Sequence, residues 1–187
     1  MGVGAEGGSS ARGVARGLVG VVAGKAGVDV AAGFDAVYHA QYPRLVRSLT
    51  AACGSREVAA DLVQHAFMQL WADWPRVSRY ESPSAWVTRA AVSRLRDHYR
   101  SLRHLASALL RLQREPQPNP SATGGEGDAL RDALARLPLR QRIAVVLYYL
   151  DDRSVADVAA IMGVSEGTVK RHLFRAREVL RSALKES

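Results

Sequence analysis

Between residues 34 and 49 the apolar side chains fall at Phe34, Val37, Tyr38, Tyr42, Leu45, Val46 and Leu49. That three-and-four spacing predicts a helix with one buried face. Pro43 sits inside the run and predicts a kink or a restart, because proline removes one helical N–H. Cys53-Gly54-Ser55 predicts a turn, with Ser55 as the cap of the next helix. In that helix Val58, Leu62, Val63, Ala66, Phe67, Leu70, Trp71 and Trp74 hold a single stripe, and Pro75 is expected to end it. A polar loop follows at residues 76–81. Ser82-Pro83 then places a cap residue before a proline suited to the first helical position. The helix it opens is expected to run toward residue 114, with Trp86, Val87, Ala90, Leu95, Tyr99, Leu102 and Leu109 facing inward.

The flanking stretches read differently. Residues 1–33 are mostly Gly, Ala and Val with no clean period, and are expected to form a disordered tail. Residues 115–128 hold Pro116, Pro118, Pro120, Gly124, Gly125 and Gly127 and almost nothing apolar. As a linker this stretch would separate its ends by ~20 Å on average and by ~45 Å at full stretch. Four further helical segments fill 129–187. Strict period-two alternation is absent, so no sheet competes. The expected fold is all-α, with two small helical domains at 34–114 and 129–187 joined by a flexible linker, the C-terminal one a helix-turn-helix domain.

Charge sharpens this picture. The 187 residues carry 26 Lys+Arg against 18 Asp+Glu, a formal charge of +8, distributed as +1 over 1–33, +5 over 34–115, −2 over 116–128 and +4 over 129–187. Two basic modules on a slightly acidic tether point to an acidic partner. Only Lys25, Lys170 and Lys185 are lysines; the arginine bias suits phosphate contacts but equally follows from GC-rich coding. No apolar run approaches the ~20 residues that span a bilayer, and no secretion signal is legible. The single cysteine, Cys53, excludes an internal disulfide and a multi-cysteine zinc site. The five histidines lack metal-ligand spacing and no glycine loop suits a phosphate, so neither an enzyme nor a cofactor is expected. These features describe a soluble, cytoplasmic protein without membrane insertion.

The strongest local pattern lies at 154–173. Ser154 and Asp157 form a capping box. Ala159 supplies a small residue where two helices cross, and Gly163 accepts a left-handed turn. Val158, Met162, Val164 and Val169 provide apolar residues on both sides. This set fits a helix-turn-helix, and less fully an ordinary helical hairpin. At about 100° per residue, Val169, Leu173, Ala176 and Leu180 share one face of the second helix, opposite Thr168, Arg171 and Arg175. Lys170, Arg177 and Arg181 form a flank. Base edges are read from the exposed N-terminal part of such a helix and phosphates from its flanks. Ser165, Thr168, Lys170, Arg171, Arg175 and Arg177 are therefore the candidate DNA-binding residues here.

Two other faces stand out. Arg89, Ser93, Arg96, Arg100, Arg103, Arg111 and Arg114 project within an arc of about 80° on the long helix. A polyanion would relieve their mutual repulsion. Tyr80, in the preceding polar loop, is the aromatic ring best placed to meet an unpaired base. Asp61, Gln64, His65 and Met68 share the polar side of the second helix, a pattern that fits either a protein contact or a solvated face.

Taken together, Asp61-Leu-Val-Gln-His-Ala-Phe67 with Trp71, Ala85-Trp-Val-Thr-Arg-Ala-Ala-Val-Ser-Arg-Leu-Arg-Asp97, Leu137-Pro-Leu-Arg-Gln-Arg142 and Val164-Ser-Glu-Gly-Thr-Val-Lys170 through Arg175-Ala-Arg177 resemble the sigma-70 family. The likeness is to its two-domain extracytoplasmic-function branch. It implies that 34–114 corresponds to region 2, melting and reading the minus-ten element through Tyr80, Arg89, Ser93, Arg96 and Arg100. Asp61, Gln64, His65 and Met68 would then grip bacterial RNA polymerase core enzyme. Residues 129–187 would correspond to region 4, reading the minus-thirty-five element of promoter DNA, and an anti-sigma factor would be a partner. Two positions depart from the family pattern: His65 stands where Glu is usual, and Ser93 where Asn is usual. A stand-alone helix-turn-helix regulator, or a sigma-like protein that binds polymerase without initiating, are the alternatives.

Overall fold

Four serines start helices as their chemistry dictates. Ser55 accepts from the Val58 N–H at 3.3 Å, Ser82 from Ala85 at 3.1 Å, Ser154 from Asp157 at 3.1 Å and Ser165 from Thr168 at 3.3 Å. The computed structural model describes residues 25–111 and 126–183. Its helices are α1 (Lys25–Cys53), α2 (Arg56–Val77), α3 (Pro83–Arg111), α4 (Glu126–Ala135), α5 (Leu139–Val145), α6 (Val155–Met162) and α7 (Glu166–Ala183). A π-helical turn, Val146–Leu150, continues α5. All regular structure among the described residues is helical, and none of those helices is long and apolar enough to cross a membrane.

Helices α1 to α3 form the first module. Leu45, Val46 and Leu49 of α1, Val63, Phe67 and Leu70 of α2, and Val87, Ala91, Val92 and Leu95 of α3 are all buried. Helices α4 to α7 form the second around Leu137, Ile143, Leu147, Val158, Met162, Val169 and Leu173. The helix-turn-helix is as its pattern foretells. Ser154 both accepts from the Asp157 N–H and donates to its carboxylate at 2.7 Å. Gly163 ends α6 with φ +66°, and the Val164 N–H returns to the Ala159 carbonyl at 3.1 Å.

The structure departs from the sequence pattern in several places. Helix α1 begins at Lys25, so residues 25–33 of the expected tail are helical; residues 1–24 lie outside the described residues. Contact with α2 begins at Gly33 and Phe34. Phe34 sits edge-on to Trp71 at 4.8 Å and to Trp74 at 5.6 Å, and a Cβ on Gly33 would come within 3.2 Å of the Trp74 ring. Helix α1 also runs unbroken through Pro43, with Leu45, Val46 and Leu49 buried beyond it. Pro75 does not end α2, which continues to the fully buried Val77 and is closed by the Ser78 N–H on the Trp74 carbonyl at 2.9 Å. The inward face of α3 stops at Tyr99: Leu102 is 46 % exposed, because no described element covers the later turns. Glu126–Asp128 belong to α4, whereas 115–125 of the expected linker lie outside the described residues.

The modules also touch, which no local pattern signals. Their buried residues join one apolar cluster. Among the described residues, hydrogen bonds that cross between them include Ser48 Oγ to Asp151 Oδ1 (2.6 Å), Arg44 to the Asp151 carbonyl (3.1 Å), Arg142 to the Ala52 carbonyl (2.8 Å), Arg96 to the Met162 carbonyl (2.9 Å) and Arg153 to Thr88 Oγ1 (3.2 Å).

Two left-handed residues yield opposite expectations. A Cβ at Gly163 meets nothing within 4 Å, so Gly163→Ala is opposed by backbone strain alone and should lower stability by ~1 kcal/mol. Asp152 holds φ +50° without being glycine; Asp152→Gly should raise stability by ~0.5–1 kcal/mol. Thermal unfolding of both variants checks the two signs.

Candidate nucleic-acid interface

Helix α7 presents its polar face as its phase requires. Val169, Leu173 and Ala176 are buried against the module core, which leaves Lys170, Arg171 and Arg175 exposed and Thr168 half-buried on the far side. Ser165 caps the helix and its hydroxyl lies 3.0 Å from Thr168 Oγ1, so these two candidates form one polar pair at the helix start. Arg177 is held: its Nε donates to Tyr149 Oη at 2.7 Å and its guanidinium lies 6.0 Å from that ring's centre. Arg181 pairs with Glu178 at 3.0 Å. The face therefore has free arginines toward its beginning and tethered ones toward its end.

One prominent residue escaped the sequence reading. Phe174 is 63 % exposed and lines a shallow basin with Lys170, Arg171 and Arg177. Its signal was available: an aromatic residue one step after Leu173 is off the buried stripe by about 100°.

The arginine stripe of α3 divides in the structure. Arg89, Arg100 and Arg103 are exposed, Ser93 is half-buried, and Arg100 pairs with Asp97 at 3.1 Å. Arg96 instead turns to the Met162 carbonyl at the helix-turn-helix corner. The side chains of Arg111 and Arg114 lie outside the described residues. Tyr80 is 45 % exposed in the loop between α2 and α3, as its polar surroundings predict. Between α3 and the second module lies a cleft of about 760 Å³ lined by Arg96, Arg100, Arg103, Arg140, Arg142 and His172 among others, with no carboxylate in its wall. His172 responds to this field. Burial, then the charges of Arg140, Arg175 and Arg171, push its pKa below the usual value, and its Nε2 is enclosed without a hydrogen-bond partner.

Asp61, Gln64, His65 and Met68 all lie exposed on one side of α2, with Met68 53 % exposed and His65 Nδ1 donating to the Asp61 carbonyl at 2.8 Å. Among the described residues no group of three or more His, Cys, Asp or Glu side chains could hold a metal ion.

Comparison with known proteins fits this arrangement. The family description "Sigma-70 region 2" matches residues 37–105, and "Sigma-70, region 4" matches 127–180. The chain is 31 % identical over 144 residues to the ECF RNA polymerase sigma factor SigM of Mycobacterium tuberculosis, covering 77 % of this chain and 73 % of that one. It is 28 % identical over 126 residues to the RNA polymerase sigma-E factor of Streptomyces coelicolor, covering 67 % and 71 %. A probable sigma factor of Xanthomonas campestris, RfaY, is 29 % identical over 141 residues, 70 % of this chain and about a third (35 %) of that longer protein. Among solved structures, the sigma factor RpoE of Bartonella quintana, in complex with the anti-sigma factor NepR, superposes with a TM-score of 0.62 at 26 % identity over 81 % of this chain and 96 % of that one. CnrH, in complex with the cytosolic domain of CnrY, shares the fold with a TM-score of 0.59 at 20 % identity, covering 94 % and 97 %. Two sigma regions in this order define a transcription initiation factor. The chain belongs to the sigma-70 family of RNA polymerase sigma factors, in its extracytoplasmic-function branch.

The state of His172 gives a pH prediction. The folded module favours neutral imidazole, whereas the unfolded chain takes up a proton near 6.5. The benefit is therefore complete above that pH and is lost as pH falls below it, levelling off beneath the folded-state pKa. Thermal melts between pH 8 and 5 should show a decline that His172→Leu flattens.

Proposed function

We propose that this sigma factor carries bacterial RNA polymerase core enzyme to promoters through three separate faces. Ser165, Thr168, Lys170, Arg171, Arg175 and Arg177 read the minus-thirty-five element from the major groove. Tyr80, Arg89, Ser93, Arg96 and Arg100 capture and read the minus-ten element as it melts. Asp61, Gln64, His65 and Met68 meet the polymerase. The factor supplies no catalytic chemistry of its own and works in the cytoplasm. An anti-sigma factor is its regulatory partner, as NepR is for the Bartonella protein.

The observation that carries this reading is the α7 face, where Arg171 and Arg175 stand exposed beyond a helix locked in place by Val169, Leu173 and Ala176. A guanidinium so presented can make a bidentate contact with guanine O6 and N7, worth ~1–3 kcal/mol of discrimination. Ser93 replaces a longer amide donor with a hydroxyl that has a shorter reach and one fewer donor.

Run-off transcription from the chain's own upstream region with core polymerase tests the assignment. Arg171→Glu and Arg175→Glu should each lower promoter-specific product about tenfold or more while co-purification with core polymerase stays intact. Normal initiation by both variants would overturn the reading face. Holoenzyme binding to the same DNA should also weaken steeply between 50 and 200 mM salt (roughly tenfold or more), as displaced counterions dictate.

A further inference from the structure

The arginine-lined cleft beside α3 has a composition that the two DNA-reading faces do not explain. Arg103, Arg140 and Arg142 belong to neither face, and no acidic side chain stands in its wall. Neither Arg103 nor Arg140 is ion-paired among the described residues. Like charges gathered without a counter-charge repel one another, the more so where water is excluded. Burial, then the charges of Arg140, Arg175 and Arg171, lower the pKa of His172 in the same wall. Such a wall attracts an anion.

The five arginines are not equivalent as donors. Arg142 is committed to the Ala52, Ala135 and Leu137 carbonyls, so it contributes charge. Arg96 gives one guanidinium nitrogen to the Met162 carbonyl, and Arg100 pairs with Asp97 at 3.1 Å. A guanidinium carries further N–H donors in its fork, so both still have some to offer. Arg103 and Arg140 are exposed, and no side-chain hydrogen bond among the described residues occupies them.

Spacing selects the ligand. Arg96, Arg100 and Arg103 follow at i, i+4 and i+7 on one side of α3, a row ~10 Å long at ~1.5 Å per residue. A lone carboxylate or phosphate matches a single fork of that row. A chain of phosphates reaches along it and toward Arg140 on the facing wall. The volume, about 760 Å³, is that of a small-molecule site. Beside the arginines the wall turns apolar, with Pro138, Leu139 and Val164 next to Tyr99. The Tyr99 hydroxyl donates to the Cys53 carbonyl at 3.2 Å, which anchors the ring. A flat heterocycle can lie on such a surface.

We propose that this cleft binds a nucleoside polyphosphate, with the phosphate chain along Arg96, Arg100 and Arg103 and against Arg140, and the base against Tyr99 and Leu139. Binding to the folded chain stabilises it with the logarithm of ligand concentration, so the sigma factor responds to the level of a phosphate-rich metabolite. Arg96 and Arg100 are shared with the minus-ten candidates. Arg103 and Arg140 are not, and the test uses those two.

Calorimetric titration of the full chain with ATP, GTP, inorganic tripolyphosphate and adenosine tests the site. ATP or GTP should bind more tightly than tripolyphosphate, and adenosine should not bind. Arg103→Gln and Arg140→Gln, both at exposed positions, should each weaken nucleotide binding roughly tenfold, as loss of a charge-assisted hydrogen bond implies. Arg47→Gln removes the same charge from an exposed position of α1 outside the cleft, and screening should keep its effect within about twofold. Thermal melts give a second readout: nucleotide should stabilise the wild-type chain and stabilise Arg140→Gln less. No nucleotide binding at millimolar concentration, or equal weakening by Arg47→Gln, would overturn the site. Tripolyphosphate binding as tight as that of ATP and GTP would overturn its nucleoside part. The titration needs neither DNA nor polymerase, whereas the sigma assignment fails only if the wild-type chain yields no run-off product, so the two failures are seen separately.

Discussion

Helix α3 must satisfy two demands at once, and the rest of the molecule is arranged around that constraint. One side buries Val87, Ala91, Val92 and Leu95 in the common core. The opposite side carries a run of arginines that cannot be buried without partners. The apolar side fixes the helix against α1 and α2, and the charged side is thereby held in a single rotational setting. The phase of its arginines therefore follows from apolar packing on the other side of the helix. The same logic governs α7, where Val169, Leu173 and Ala176 set the phase in which Arg171 and Arg175 face outward.

Most of what decides the helix-turn-helix is local, and local chemistry is what a sequence displays. The Ser154–Asp157 box, the left-handed Gly163 and the buried Val158, Met162 and Val169 all follow from spacing and residue type. The exposure of Asp61, Gln64, His65, Met68 and Tyr80 was legible in the same way. The start of α1 was not. Residues 25–33 have no amphipathic period, and the helix they open meets Trp71 and Trp74, some forty residues away in the chain, at Gly33 and Phe34. Pro75 shows the converse: its missing N–H marks a break, but burial of Val77 outweighs it. Leu102 follows the apolar stripe faithfully and still faces solvent, because a stripe says which side a residue lies on and not whether anything covers it.

The contact between modules is the largest feature beyond the reach of periodicity. Ser48, Thr88 and Asp151 look in sequence like ordinary polar residues of helices and a turn. Their burial depends on partners 65 to 103 positions away. The departure at His172, which reads as a mild irregularity in an apolar pattern, likewise gains meaning only when Arg140 from another helix is set beside it.

The close approach of Gly33 to the Trp74 indole has a consequence for packing. Helix α1 is continuous from Lys25 to Cys53, so the buried Leu45, Val46 and Leu49 set its register and bring Gly33 against α2. A β-carbon there would lie 3.2 Å from the Trp74 ring, tighter than ordinary van der Waals contact, and the ring would have to give by a few tenths of an ångström. The absence of one methyl group thus lets the helix backbone and the indole sit face to face without displacement.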